Sequence, residues 1–274
     1  FGGEVFRAGE LPRRYMPFML ANTLTEPVWL LFFFGIFVSY FRWFRQAGNT
    51  NNDLQPTNSA NNWASLRSSI DRAETGNTIV SLSLVLLWFG VLLAYVLVRR
   101  PAMYDGMRHF LFILPPVFIF TGFAFEFFID HLSSWLYAGL ILLLLAPGIL
   151  GIVRLHPYEY TYYNSFVGGT DGAFRQYETD YWLTCYKEAV EGLERNIDSP
   201  TNLYVHREAY IAKYYASERV AVYDLRGALD QVQPGDYVLV NTRTNEDRRL
   251  FRDAPSVIEV RRSEAVFCQI KQIP

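Results

Sequence analysis

The sequence predicts a multi-pass α-helical membrane region followed by a small soluble α/β domain. Four apolar runs lie between residues 27 and 153, each close to the roughly 20 residues that cross a bilayer. Charge is unevenly spread: residues 1–154 hold 11 Arg, no Lys and 9 Asp/Glu, whereas residues 155–274 hold 14 Lys/Arg and 18 Asp/Glu. The charged fraction therefore doubles across the chain, and only the second part reaches the ~25% usual for soluble domains. From Thr201 onward, short apolar runs alternate with short helical segments, the pattern of an α/β fold. A net charge of −2 without a basic stripe argues against a nucleic-acid partner, and 51% hydrophobic residues exclude disorder as the main state.

The elements follow in order. Residues 1–24 read as an external loop or interfacial segment. Phe1-Gly2-Gly3 offers neither an initiator Met nor a signal segment, so the chain is read as the C-terminal portion of a longer membrane protein. Residues 25–154 form the membrane region. Its first span is expected over 27–44, with Thr25 as N-cap and Pro27 in the first turn. The Asn-rich stretch 46–62 reads as a solvated linker, and Trp63, Leu66, Ile70 and Ala73 share one face of an interfacial helix over 63–73. The second span, 78–98, ends at Arg99-Arg100. The third, 110–129, contains Pro115-Pro116 and one ionisable residue, Glu126, read as a helix-pair residue. The fourth, 132–153, carries Pro147-Gly148; prolines are tolerated in such helices.

Four spans place residues 1–24, 99–108 and everything after Arg154 on one face. That face carries Arg7, Arg13, Arg14, Arg99, Arg100, Arg108 and Arg154, and the other carries Arg42, Arg45, Arg67 and Arg72. The positive-inside rule puts the first face in the cytoplasm. Arginines retained to bind an anion would give the same count for another reason.

Residues 155–200 read as a juxtamembrane aromatic and helical connector, with an amphipathic helix over 181–196. Residues 201–274 read as the α/β domain, with strands at 202–205, 220–223, 237–241, 257–261 and 266–270. Helical segments lie between them, and the sheet is expected to be mainly parallel with an antiparallel edge. Cys185 and Cys268 are expected to be free and packed. Gly168-Gly169-Thr170-Asp171-Gly172 reads as a turn. The four histidines lack zinc spacing, and no phosphate loop or nucleophile elbow is present.

Three segments could carry chemistry. Tyr104-Asp105-Gly106-Met107-Arg108-His109 joins the second and third spans and brings a carboxylate, a guanidinium and an imidazole to one membrane surface. Arg suits bidentate contact with phosphate, and His adds a donor. The bland alternative is a helix start capped by Asp105, with Arg108 snorkelling to headgroups. Before the first span, Arg13, Arg14 and Tyr15 lie between Pro12 and Pro17, either lining the same site or anchoring the interface. After the last span, His156, Tyr158 and Glu159 lead a tyrosine-rich run that reads as an aromatic belt or as cavity-lining sugar contacts.

Taken together, LPRRYMPFMLANTLTEP (11–27), YDGMRHFLFILPP (104–116) and HPYEYTYYNSFVGGTDGAFRQYETDYW (156–182) resemble the C-terminal half of bacterial GT-C membrane glycosyltransferases, similar to the dolichyl-phosphate-mannose–protein mannosyltransferases. The resemblance implies a multi-pass plasma-membrane enzyme that takes a sugar from a polyprenyl-phosphate donor. The acceptor would be a protein, lipid or glycan hydroxyl, and the C-terminal domain extracytoplasmic. It implies an inverting displacement whose catalytic carboxylate lies upstream of this chain, so the general base has no residue here. Arg108 and His109 are then expected at the donor's lipid phosphate, with Asp105 orienting Arg108, Tyr104 beside them and Arg13 or Arg14 second. Tyr15, His156, Tyr158 and Glu159 would line the cavity. No metal ligand is assigned, although the resemblance leaves room for a divalent ion. The competing class is non-enzymatic: a membrane-anchored binding module or part of a transporter. Only Glu126 is charged inside a span and no internal repeat is evident, which weakens the transporter reading.

Overall fold

The structure, a computed structural model, describes the backbone of residues 1–52 and 62–274 and the side chains of residues 1–45 and 77–274. It divides into two compact units, Leu11–Pro147 and Phe1–Glu10 with Gly148–Pro274. The segment 1–24 is thus shared between the units.

The helical unit begins with α1 (Tyr15–Thr23), α2 (Pro27–Asn52) and α3 (Asn62–Arg99), followed by a 3₁₀ turn over Arg108–Ile113, then α4 (Leu114–His131) and the start of α5 (Ser134–Leu155). Four stretches are long and apolar enough to cross a membrane: Pro27–Arg45, Asn77–Arg99, Arg108–His131 and Ser134–Leu155. They match the expected spans to within two residues at each end. Much of the linker expected over 46–62 lies outside the described residues. The expected interfacial helix is continuous in backbone with α3, and its side chains also lie outside the described set.

Packing is closest between α2 and α4. Phe32, Leu82, Val117 and Phe120 form the buried cluster, with Trp29, Ile36 and Phe89 against it. Gly35 permits the approach: a Cβ there would stand 1.7 Å from the Phe120 carbonyl oxygen. Small residues play this part in membrane helix pairs because dispersion, with no hydrophobic drive in lipid, must hold them together. Near the end of the apolar stretch of α2 and the C-terminal end of α4, Arg42 bonds Glu126 at 3.1 Å and Asp130 at 2.6 Å. Glu126 is therefore a helix-pair residue, as its position suggested. Within Ser134–Leu155 the one buried residue is Leu155, at the C-terminal end, and the rest of the helix presents an apolar surface suited to lipid or further helices.

The second unit is built on a five-stranded sheet of order β2-β1-β3-β5-β4. Its elements are α6 (Gly169–Ala173), α7 (Cys185–Asn196), β1 (Thr201–Val205), α8 (Ala209–Tyr215), β2 (Val220–Asp224), β3 (Tyr237–Asn241), β4 (Ser256–Arg262) and β5 (Ala265–Gln272). β1 pairs in parallel with β2 and β3, while β5 pairs antiparallel with β3 and β4. The sheet is thus evenly mixed rather than mainly parallel. The cause is local: only Ser263 and Glu264 separate β4 from β5, and two residues can join only an antiparallel hairpin. Asp171 of α6 fixes that turn, accepting from Ser263 Oγ at 2.7 Å and Glu264 N at 3.0 Å. The expected glycine-rich turn is therefore a short helix that clasps the hairpin.

Helix α7 is amphipathic. Cys185, Tyr186, Ala189, Val190 and Leu193 are buried at helical spacing and meet Leu203, Val205, Leu239, Val260 and Ile270 on one sheet face. The other face carries Tyr204, Val238 and Val240, covered by Leu225, Ala228, Leu250 and Phe251. Cys185 and Cys268, expected to be free, form a disulfide with Cα atoms 6.1 Å apart. Helix α7 lies over β5, which brings its first residue within bridging distance of the strand. Sequence spacing contains no sign of that placement.

Candidate functional site

The segment before the third span folds as a compact polar knot. Asp105 and Gly106 both take left-handed backbone conformations, at φ +58° and +69°, which turns the chain sharply before the 3₁₀ turn. Non-glycine residues seldom adopt this conformation, and Asp is among those that tolerate it best. The turn is pinned by Tyr15, whose hydroxyl accepts from Gly106 N at 3.0 Å. Asp105 is 5% exposed and holds Arg108 at 2.7 Å. The Arg108 guanidinium also lies 5.1 Å from the centre of the Tyr104 ring. Its Nε donates to His109 Nε2 at 3.1 Å, which requires a neutral His109 protonated at Nδ1. The Tyr104 and His109 rings are 4.6 Å apart, centre to centre.

Four of the expected site residues, Tyr104, Asp105, Arg108 and His109, are therefore one contiguous cluster. Asp105 is not a helix cap: the residue preceding the 3₁₀ turn is Met107, and no side chain caps it. A buried carboxylate instead restricts Arg108 while leaving it partly open. Such an arrangement can present a planar cation to an oxyanion with little reorganisation.

Of the remaining expected residues, Tyr15 adjoins the cluster through Gly106, whereas His156, Tyr158 and Glu159 belong to the second unit. Arg13 and Arg14 are exposed at the start of α1. Tyr15 was expected to line a cavity; it is 1% exposed, and its hydroxyl is occupied with the loop backbone. Tyr158, expected in a belt or a cavity wall, is fully buried in the α/β core. Its ring meets Phe267 at 4.8 Å, with the Arg262 guanidinium 4.6 Å from its centre. Burial, reinforced by Glu188 and Asp180, raises the Tyr158 phenol far above its ordinary value. The α/β core begins only a few residues after the last span, which draws this tyrosine inward.

His156 and Glu159 form an exposed pair at 2.7 Å. A backbone hydrogen bond and then His156 hold the Glu159 carboxyl below its ordinary range. Neighbouring Arg262 donates to the His156 carbonyl at 2.9 Å and forms a fork with Glu188 at 2.6 and 3.2 Å.

Sequence reading missed three groups in the second unit. Asp180 accepts from the amides of Thr184 and Cys185, each at 2.9 Å, and from the Tyr160 hydroxyl. Burial raises its carboxyl above the ordinary value, opposed by those hydrogen bonds. Arg175 is bidentate to buried Asp247, at 2.7 and 3.2 Å. Lys271, on β5, is 4% exposed. A charge buried to this degree requires partners, and the flanking Gln269 and Gln272 give no sequence sign of it.

Among the described residues no three His, Cys, Asp or Glu side chains converge as a metal site. Comparison of the chain with known protein families, with curated proteins and with solved structures finds no match.

Proposed function

We propose that this chain is part of a membrane glycosyltransferase of the GT-C type, which transfers a sugar from a polyprenyl-phosphate donor to an extracytoplasmic acceptor hydroxyl. The observation that carries the reading is the Asp105–Arg108–His109 cluster beside a membrane span. A preset guanidinium at the level of lipid headgroups suits the phosphate of a lipid-linked donor.

In this reading the acceptor oxygen attacks the anomeric carbon and forms the new glycosidic bond. The bond from that carbon to the donor phosphate oxygen breaks, and its electron pair leaves with the polyprenyl phosphate. A carboxylate, assigned here to no residue, takes the acceptor proton. Arg108 stabilises the charge gathering on the departing phosphate, Asp105 orients Arg108, and neutral His109 can donate from Nδ1. The Cys185–Cys268 disulfide favours placing the α/β unit outside the cytoplasm, because such bonds persist in oxidising compartments. That placement runs against the arginine count, which anion-binding arginines would inflate.

The test is Arg108→Ala and Arg108→Lys in the intact membrane protein, with turnover and polyprenyl-phosphate-sugar binding both measured. Alanine is expected to lower turnover by about two to three orders of magnitude, as for other groups that stabilise developing charge. Lysine should recover only part of it, because it lacks the fork. Unchanged turnover and donor binding in the alanine variant would remove Arg108 from this role.

A further inference from the structure

A cavity of about 540 Å³ lies on the α/β unit, lined by Asp247, Arg248, Arg252, Ser256, Gln269 and Lys271. Its size falls within the range of small-ligand sites, roughly 300–1,000 Å³. The floor is β5, where Gln269 and Lys271 alternate with the core residue Ile270. One wall is the segment 247–252.

That wall is held in place by buried charge. Lys271 Nζ donates to the carbonyls of Asp247 at 2.6 Å, Leu250 at 3.1 Å and Phe251 at 3.0 Å, using all three of its protons. Arg175 grips the Asp247 carboxylate from the other side and bonds Asn245 Oδ1 at 3.0 Å. Two non-glycine residues take left-handed conformations here, Asn245 just before the segment at φ +58° and Phe251 within it at φ +45°. For a residue as bulky as Phe this is strained, and such strain persists only where surrounding contacts enforce it. On this wall Arg248 and Arg252 are exposed. Asp247, the one carboxylate in the lining, is already committed to Arg175. A solvated charge run would need neither the buried ion pair nor the buried lysine.

We propose that this cavity binds a small anion bearing a phosphate group and hydroxyls, of about the size of a sugar phosphate. Arg248 and Arg252 take the phosphate, and Ser256 and Gln269 meet the hydroxyls. Lys271 is a positioning residue that fixes the wall. The proposal is independent of the transferase reading, since it concerns other residues and is read by binding rather than turnover.

The test is calorimetric binding to the full chain in nanodiscs with three probes: a hexose phosphate, inorganic phosphate and the free hexose. The hexose phosphate should bind best, inorganic phosphate more weakly, and the free hexose undetectably. The double variant Arg248→Ala/Arg252→Ala should weaken hexose-phosphate binding by at least about tenfold, the effect of removing charge-assisted hydrogen bonds. Arg249→Ala, exposed but outside the lining, should stay within about twofold, as expected when only screened long-range charge is lost. Matching thermal melts would show that the variants are folded. The site is overturned by absence of binding in the wild type, by full binding in the double variant, or by an equal loss in Arg249→Ala. Displacement of the hexose phosphate by phosphatidylglycerol vesicles would assign the phosphate to a lipid headgroup, and its retention to a soluble ligand; both uphold the site.

Discussion

Replacing both cysteines, as Cys185→Ala/Cys268→Ala, tests the assembly of the α/β unit most directly. The bridge joins the first residue of α7 to β5 across a sequence separation of 83 residues. With a closed loop of that size, the chain-entropy relation puts its effect on the unfolded state near 4.5 kcal/mol at 25 °C, within the about 2–5 kcal/mol typical of native bridges. A domain of this size shifts by about 4–8 °C per kcal/mol. The variant's unit should therefore melt at least about 10 °C lower, followed by near-ultraviolet circular dichroism of the full chain in detergent. Before that comparison, the wild-type chain is denatured without reductant and treated with a maleimide, then weighed. An unmodified mass is expected. Two added maleimides, or a variant that melts with the wild type, would refute the pairing and remove its support for an extracytoplasmic α/β unit.

Gly35→Ala should loosen the α2–α4 pair, because its methyl would meet the Phe120 carbonyl oxygen at 1.7 Å. A loss of about 1–3 kcal/mol, as for other overpacked sites, should appear as earlier thermal aggregation in detergent, and an unchanged profile would count against the packing. Arg262→Lys should cost about 1–3 kcal/mol by losing the fork on Glu188 and the bond to the His156 carbonyl; a melt equal to wild type would show the contact to be idle. His206 follows β1, and its Nδ1 is buried without a partner among the described residues. Burial lowers its imidazole below the ordinary 6.5, so the unfolded chain takes up the proton first. Its stabilising effect is complete above pH 6.5 and is lost as pH falls through the lowered folded value. Melts of wild type and His206→Gln should converge as the medium is acidified, and parallel profiles would exclude His206 as the cause.

The spans and strands were legible because their patterns admit few solutions. Twenty uncharged apolar residues such as those before Arg99 have no ordinary place in a small soluble unit, and Tyr237–Asn241 reads as a buried strand by composition. The chemistry-bearing cluster was legible too, since Tyr104, Asp105, Arg108 and His109 are near neighbours in the chain. What escaped depends on contacts across long separations. Tyr158 looks like a belt residue until the sheet that buries it is in place. Tyr15 meets Gly106 only once α1 and the loop are both formed. The disulfide requires α7 to lie over β5. The short gap between β4 and β5 is a local signal of an antiparallel hairpin, whereas Lys271, set between Gln269 and Gln272, shows its burial only in the folded sheet.

The Arg42 contacts bear on how the protein is made. Synthesis delivers α2 well before α4, so Arg42 reaches the translocon without Glu126 or Asp130. An unpaired arginine at the centre of a spanning helix costs about 2.5–3.5 kcal/mol on the insertion scale. Arg42 lies close to the end of its span and can wait at the membrane surface until α4 emerges. Asp130 follows Arg42 by 88 residues, so these ion pairs form only after α2 has been delivered. A ribosome stalled between the two would leave Arg42 unpaired at the membrane surface.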